Sequence, residues 1–256
     1  MAEQNGLFGP EISLKKISFT QISTFLRCPL EFKLRFIEKR EIEFSPSGSD
    51  VFLGRILHKI TFDYLNLPPS ERNLPFLSLK LKNLTNGTRI RQEHLDFLEE
   101  SIQLLDRSVL KGFKTISTEE SFKYTIENYT LSGRIDCLSS SPEGTMLLEF
   151  KLNNYPEFVY ENAVDQYLQL IVYSLGLQKK GITPTLGAYY FYDSGFLKEI
   201  ELSPLLETGE KRIRTILQAM SNQQCFLPRA NPLCSTCGYR NRCALYQKGG
   251  DKNAHT

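Results

Sequence analysis

The chain has 256 residues, of which 41% are hydrophobic and 23% charged, and its formal net charge is +2. That length buries a sizeable core, as one large domain or as a core with an insertion, and the balance is that of a soluble globular protein. No apolar run is long enough to span a bilayer, and residues 1–10 lack the basic-then-apolar pattern of a secretory signal, so a cytoplasmic protein with no membrane partner is expected. A net charge so close to zero excludes any argument for nucleic-acid binding from the global balance.

In chain order, apolar residues at three- and four-residue intervals predict a helix over 17–39. Ser23 or Thr24 can cap its start, and Pro29 has to sit in a first turn or a break. A polar loop over 45–50 follows, then a helix over 51–65 ended by Pro68 and Pro69. The segment 74–111 reads as mostly helical with a turn near Asn86 and Gly87. It looks more like a helical insertion (66–111) than part of a core.

After Gly112 the character changes. Residues 113–125, 130–139 and 145–151 are rich in β-branched and aromatic side chains and read as strands, with turns at Asn128 and at 142–144. A helix is predicted over 163–178. Two more strands, 186–192 and 197–202, are joined at 193–195, and a helix over 207–222 precedes a cysteine-rich tail. The simplest architecture is α/β, a central mixed β-sheet flanked by helices, within one domain whose segment 113–202 carries the sheet and a helix.

Charge is uneven along the chain. From Lys211 onward eight basic residues face Asp251 alone, and over 11–40 seven basic residues face three acids. Basic ends of this kind suit either solvated helix faces or a groove that tracks phosphates.

Chemistry concentrates in two constellations. Asp136 on one strand and Glu149-Phe150-Lys151 on the next are close if the strands pair through the turn at 141–144. Alternation puts Glu149 and Lys151 on one face and Phe150 in the core. Two neighbouring carboxylates repel unless a cation lies between them, which suits Mg²⁺ or Mn²⁺ and water activation at a phosphate. Glu149 with Lys151 as a simple same-face ion pair is the competing reading. The second constellation is Cys234-x2-Cys237-x5-Cys243 with Cys28 far upstream, thiols that can wrap a soft metal if a fourth ligand joins the three. Six cysteines without an export signal argue against a disulfide framework. Cys137 follows Asp136 and should point to the opposite sheet face as a packing residue, while Cys225 fits no motif.

Asp136 followed by Glu149-Phe150-Lys151 resembles the signature of the PD-(D/E)XK nuclease superfamily, whose restriction-endonuclease-like core has the sheet-and-helix architecture just described. The flanking blocks resemble its RecB-like branch: Gly54-x3-His58 before the acidic strands, and Gln169-x3-Tyr173 after them with Gln166 one turn earlier. The glycine is expected to permit close backbone approach. Cys28-Pro29 with the three tail cysteines is similar to the iron–sulfur subgroup, which includes AddB-type repair nucleases and a CRISPR-associated family.

This resemblance implies catalysis by Asp136, Glu149 and Lys151. It implies Mg or Mn held by His58, Asp136, Glu149 and the Phe150 carbonyl, with substrate positioned by Gln169, Tyr173 and Gln166. It implies a 4Fe–4S cluster, or alternatively structural zinc, on Cys28, Cys234, Cys237 and Cys243, so that 17–40 and 223–246 jointly form a cluster region. Glu119 or Glu120 corresponds to a further acidic position of the family. The activity implied is cleavage of DNA, as an exonuclease on single strands or ends, in repair and recombination or in CRISPR adaptation, with a helicase or an integrase as partner. The alternative is a non-cleaving iron–sulfur DNA-binding subunit of a larger complex.

Overall fold

Period-two alternation over 114–151 folds into three consecutive strands: β2 (Lys114–Ile126), β3 (Tyr129–Ser141) and β4 (Gly144–Lys151). The structure, a computed structural model, describes residues 16–42, 48–141, 144–153 and 163–246. Two further strands, β5 (Leu186–Phe191) and β6 (Leu197–Glu201), and the short β1 (Lys16–Ile17) complete a mixed six-stranded sheet. Its order is β1-β3-β4-β5-β6, with β2 paired to β3. β4 and β5 are parallel, and the β3–β4 and β5–β6 pairs are antiparallel.

The helices are α1 (Phe19–Arg27), α2 (Pro29–Phe32), α3 (Gly48–Leu65), α4 (Leu74–Thr85), α5 (Gln92–Arg107), α6 (Ala163–Gln166), α7 (Leu168–Gln178) and α8 (Ser203–Asn222). The expected helix over 17–39 is therefore divided. Ile17 pairs as a strand residue, Cys28 is extended, Pro29 opens α2, and a π-helical turn covers Lys33–Ile37. Neither Ser23 nor Thr24 caps the start. Ser18 does, in a capping box with Gln21, whose side chain accepts from the Ser18 N–H at 2.9 Å. The break before Pro29 follows from the clash a proline imposes on a helical predecessor. Of the loop expected over 45–50, residues 48–50 are the first turn of α3 and 45–47 lie outside the described residues.

Two compact units result. One comprises Met1–Ser45, Tyr124–Ser132 and Lys211–Thr256, the other Pro46–Lys123 and Gly133–Glu210. In the first, Phe32 packs edge-on to Phe25 and stacks with Phe226. In the second, α3, α4 and α5 bury Leu57, Ile60, Leu77, Leu81, Leu98 and Ile102 in one cluster with Leu148, Phe150 and Tyr190 of β4 and β5. The stretch read as an insertion thus supplies part of the core under β4 and β5. The Arg72 guanidinium is buried with it, donating to the carbonyls of Leu65, Leu67, Leu110, Lys111 and Phe113. These bonds tie the end of α3 to the segment that leads into β2, and an unpaired guanidinium there would be costly.

Candidate active site and cysteine region

The β3–β4 register pairs Cys137 with Leu148, which sets Asp136 opposite Glu149 one step further along. The two residues clasp each other. The Phe150 N–H donates to Asp136 Oδ2 at 2.9 Å, and the Asp136 N–H donates to Glu149 Oε1 at 3.2 Å. Glu149 is 3% exposed. Burial first, and then the Asp136 carboxylate beside it, push the Glu149 carboxyl up to about 8 against the opposing pull of Lys151. Phe150 points to the core cluster. Cys137, also buried there, has its thiol pushed up to about 12, chiefly by burial.

Helix α7 supplies the third wall. Every residue from Leu168 to Leu177 is buried, so this is a helix enclosed all round rather than an amphipathic one with a polar face in water. Gln169 therefore needs partners, and it has three. Its Oε1 accepts from Lys151 Nζ at 2.6 Å, and its Nε2 donates to Glu149 Oε2 at 2.7 Å and to the Tyr173 hydroxyl at 3.1 Å. One amide thus spans the cation and the anion, with its two ends oriented by their opposite needs. Lys151 also approaches Glu149 Oε2 at 3.7 Å. Burial raises the Tyr173 phenol well above its usual range. Gln166 is placed differently, because the helix expected over 163–178 breaks at Tyr167 and leaves Gln166 at the end of α6.

The close approach of α7 depends on glycine at two positions. A Cβ on Gly176 would lie 2.3 Å from the Phe122 ring, and one on Gly133 would lie 2.8 Å from it. That ring in turn packs on Tyr173, with centroids 5.0 Å apart. Gly54 makes no such demand. Among the described residues an added Cβ would meet Leu152 at an ordinary 3.7 Å, so close approach is not why glycine stands there.

His58, one turn beyond Gly54 on α3, brings Nδ1 to 3.5 Å from Asp136 Oδ1. Its ring is boxed edge-on by Phe62 and Phe150 and tilted against Tyr192. The Tyr192 hydroxyl shares a buried 2.7 Å hydrogen bond with Thr61. Thr61 and Tyr192 belong to no expected motif. A β-branched residue one turn from a histidine carries no signal until the strand facing it is known.

The expected nuclease residues His58, Asp136, Glu149, Lys151, Gln169 and Tyr173 are thus neighbours in one unit. Their oxygen and imidazole donors suit a hard divalent ion, which would relieve the repulsion between the two neighbouring carboxyl groups. Glu119 and Glu120 stand apart from this group, in ion pairs with Arg134 and Lys180.

In the other unit Cys28 is the N-cap of α2, and Cys234, Cys237 and Cys243 lie in and beside two short 3-10 turns over Pro232–Thr236 and Arg240–Arg242. All four are free, partly buried thiols. Cys237 is raised by burial and further by Glu31, Cys28 and Cys234, so that two of the other expected thiols lie within electrostatic reach of it. Among the described residues no group of three or more His, Cys, Asp or Glu is arranged to enclose a metal ion. Cys225 is exposed, and among the described residues no helix is long and apolar enough to cross a membrane.

The family model of the PD-(D/E)XK nuclease superfamily matches residues 16–244. No curated protein matches the chain. Among solved structures, the crystal structure of SSO0001 is 17% identical over 91% of this chain and 87% of that one, with a TM-score of 0.45. A protein named "Putative exonuclease" from Eubacterium rectale is 11% identical over 97% of this chain and 93% of its own, with a TM-score of 0.53. At that identity the likeness is one of fold.

Proposed function

The chain belongs to the PD-(D/E)XK nuclease superfamily, and on that premise we propose that it is a metal-dependent deoxyribonuclease acting as an exonuclease on single-stranded DNA or DNA ends. The observation that carries the reading is the pairing of the partly buried Asp136 with the buried Glu149, which one glutamine amide bridges to Lys151. A simple Glu149–Lys151 ion pair has no use for a second carboxylate set against the buried one, because like charges so close repel. The exonuclease mode is supported by the name of the Eubacterium rectale structure and by the RecB-like motif order.

Asp136 and Glu149, with His58 and the Phe150 carbonyl, would hold Mg²⁺ or Mn²⁺. Such an ion, when bound, supplies a Lewis acid that lowers the pKa of water and offsets phosphate charge. The chain's own residues do the rest. Gln169 holds the Lys151 ammonium on the side of Glu149, where it can donate to a phosphate oxygen as charge develops there. Tyr173 fixes the Gln169 amide, and the aromatic box fixes the His58 imidazole. Gln166 is left to contact the strand outside this network.

The cysteines form the second part of the reading. Cys28, Cys234, Cys237 and Cys243 fit a 4Fe–4S cluster as a donor set, four partly buried soft ligands in one unit, with structural zinc as the alternative. The iron–sulfur subgroup, and with it a helicase or a CRISPR integrase as partner, rests on the resemblance of these four positions. Gene neighbourhood decides between repair and CRISPR adaptation.

End-labelled single and double strands incubated with Mn²⁺ or Mg²⁺ test the proposal. Wild type is expected to shorten them from an end, and Asp136→Ala to leave them intact. Equal cleavage by both proteins overturns the site. Retention of DNA without turnover by wild type favours the non-cleaving subunit instead.

A further inference from the structure

The strand register continues the catalytic face outward. Tyr189 of β5 pairs with Glu149, and Lys198 of β6 pairs with Tyr189, so all three project from the same side of the sheet. Lys151 Nζ lies 5.5 Å from the centroid of the Tyr189 ring. Tyr167 lies nearly parallel to Tyr189, at 12° with centroids 6.4 Å apart. Lys198 Nζ is 5.6 Å from the centroid of Tyr167. The result is a row of cation, ring, ring and cation that begins at the lysine of the active site and runs toward the last strand of the sheet.

Local structure marks Tyr167 as unusual. It interrupts what the sequence pattern predicts as one helix, with φ −107° and ψ 11°, and α7 starts there without any side-chain cap. Helix starts favour Ser, Thr, Asp or Asn because their oxygens satisfy free N–H groups. A tyrosine gives up that stabilisation, and such local departures gather at functional positions. The two rings also differ in access. Tyr189 is 8% exposed and serves as an anchor, whereas Tyr167 is only partly buried. Packing alone would account for Tyr189. It gives no reason for a second ring at an uncapped break with an ammonium beside it.

Resting on the nuclease reading, we propose that this row is a subsite for one unpaired nucleotide next to the scissile phosphate. The base stacks on Tyr167 by displacing the Lys198 ammonium from over the ring to the neighbouring phosphate, and Tyr189 braces both Tyr167 and Lys151. Aromatic rings bind unpaired bases of any sequence because every base has a π-face, while backbone cations track the strand. A base inside a duplex is already stacked on both faces and cannot use the ring. The row therefore makes the site selective for single strands and frayed ends.

Binding of the full-length protein to a short fluorescent thymidine oligonucleotide, and to the same backbone with abasic residues, reads the stacking directly. Anisotropy with EDTA present prevents cleavage. Wild type and Tyr167→Phe are expected to prefer the thymidine strand by about tenfold, within the range for base–aromatic stacking. Tyr167→Leu, which keeps bulk without the π-face, is expected to bind both strands equally. Lys198→Ala is expected to weaken both alike and to flatten the salt dependence. Equal binding of the two strands by wild type, or a tenfold preference retained by Tyr167→Leu, overturns the subsite and leaves the nuclease reading standing. Failure of wild type to bind either strand overturns the subsite as well, and cleavage with Mn²⁺ then decides the nuclease reading separately.

Discussion

Glu149 and Cys237 are both ionisable groups displaced upward by burial and by neighbouring like charges, yet their surroundings differ in kind. Around Glu149 the chain has assembled opposing interactions from three elements: the Asp136 N–H of β3, Lys151 of β4 and the Gln169 amide of α7. Around Cys237 the thiols of Cys28 and Cys234 and the carboxylate of Glu31 add to the burden, and the offset is a backbone hydrogen bond at Tyr239. A site of the first kind is organised by the fold before any ion arrives. A site of the second kind brings thiols together with no cationic side chain acting on Cys237, Glu31 itself being paired with Arg27, and there a bound cluster or zinc would do most for stability.

The sharpest way to break the comparison is Glu149→Gln. Metal-dependent cleavage is expected to fall by about a thousandfold or more, as removal of a principal charge-stabilising group does elsewhere. Stability of the metal-free protein should move the other way. With its carboxyl raised from 4.5 to about 8, wild-type Glu149 contributes stability while protonated and loses it as pH rises through that interval. The glutamine variant does not titrate, so it should melt above wild type at pH 9, and the gap should close by pH 5. Added Mn²⁺ should restore the wild type alone. A wild type that gains stability steadily from pH 5 to 9 without metal would show that Glu149 is not strained by burial.

Cys237→Ser tests the other half. If a cluster or zinc organises the tail, the variant should lose the metal found by iron and zinc analysis. The unit holding α1, α2 and the tail should lose on the order of 3 kcal/mol or more, since ligand binding to such sites is folding free energy. Hydrogen exchange should report the loss in α1 and the 3-10 turns and leave α7 protected. Full metal content in the variant would remove Cys237 from the ligand set.

These two sites were also unequally legible. The strands of 114–151 followed from alternation, and Asp136 beside Glu149 followed from one hairpin register, because both depend on neighbours in sequence. The break at Tyr167 was not visible, since residues 163–178 carry an unbroken helical pattern and nothing in it marks the residue whose ring meets Tyr189 of β5. Ser18 as the cap was hidden because Ser23 and Thr24 compete by composition, and only the strand character of Ile17 moves the helix start upstream. The contribution of α4 and α5 to the core could not be read either. Their apolar stripes are evident, but the surface they cover lies on strands about fifty residues later.

Gln169→Ala is the mildest of the three changes and the most diagnostic of preorganisation. The amide lies between Lys151 and Glu149, so that it orients one of the expected metal ligands, and it carries Tyr173 on its far side. Its removal leaves Glu149 Oε2 with Lys151 at 3.7 Å as its remaining described partner and frees the ammonium to seek water. Loss of a supporting residue of this kind typically costs 10- to 100-fold in metal affinity or activity, so a decrease of about that size in cleavage is expected. The decrease should appear in kcat more than in KM, because the groups misplaced are those that act as charge develops. Gln169→Glu should not rescue it, since a third carboxylate would repel Glu149 where the amide nitrogen donated. If cleavage by Gln169→Ala were unchanged, Lys151 would be held by Glu149 alone, and the carboxylate site would need a bound ion to organise it as much as the cysteines do.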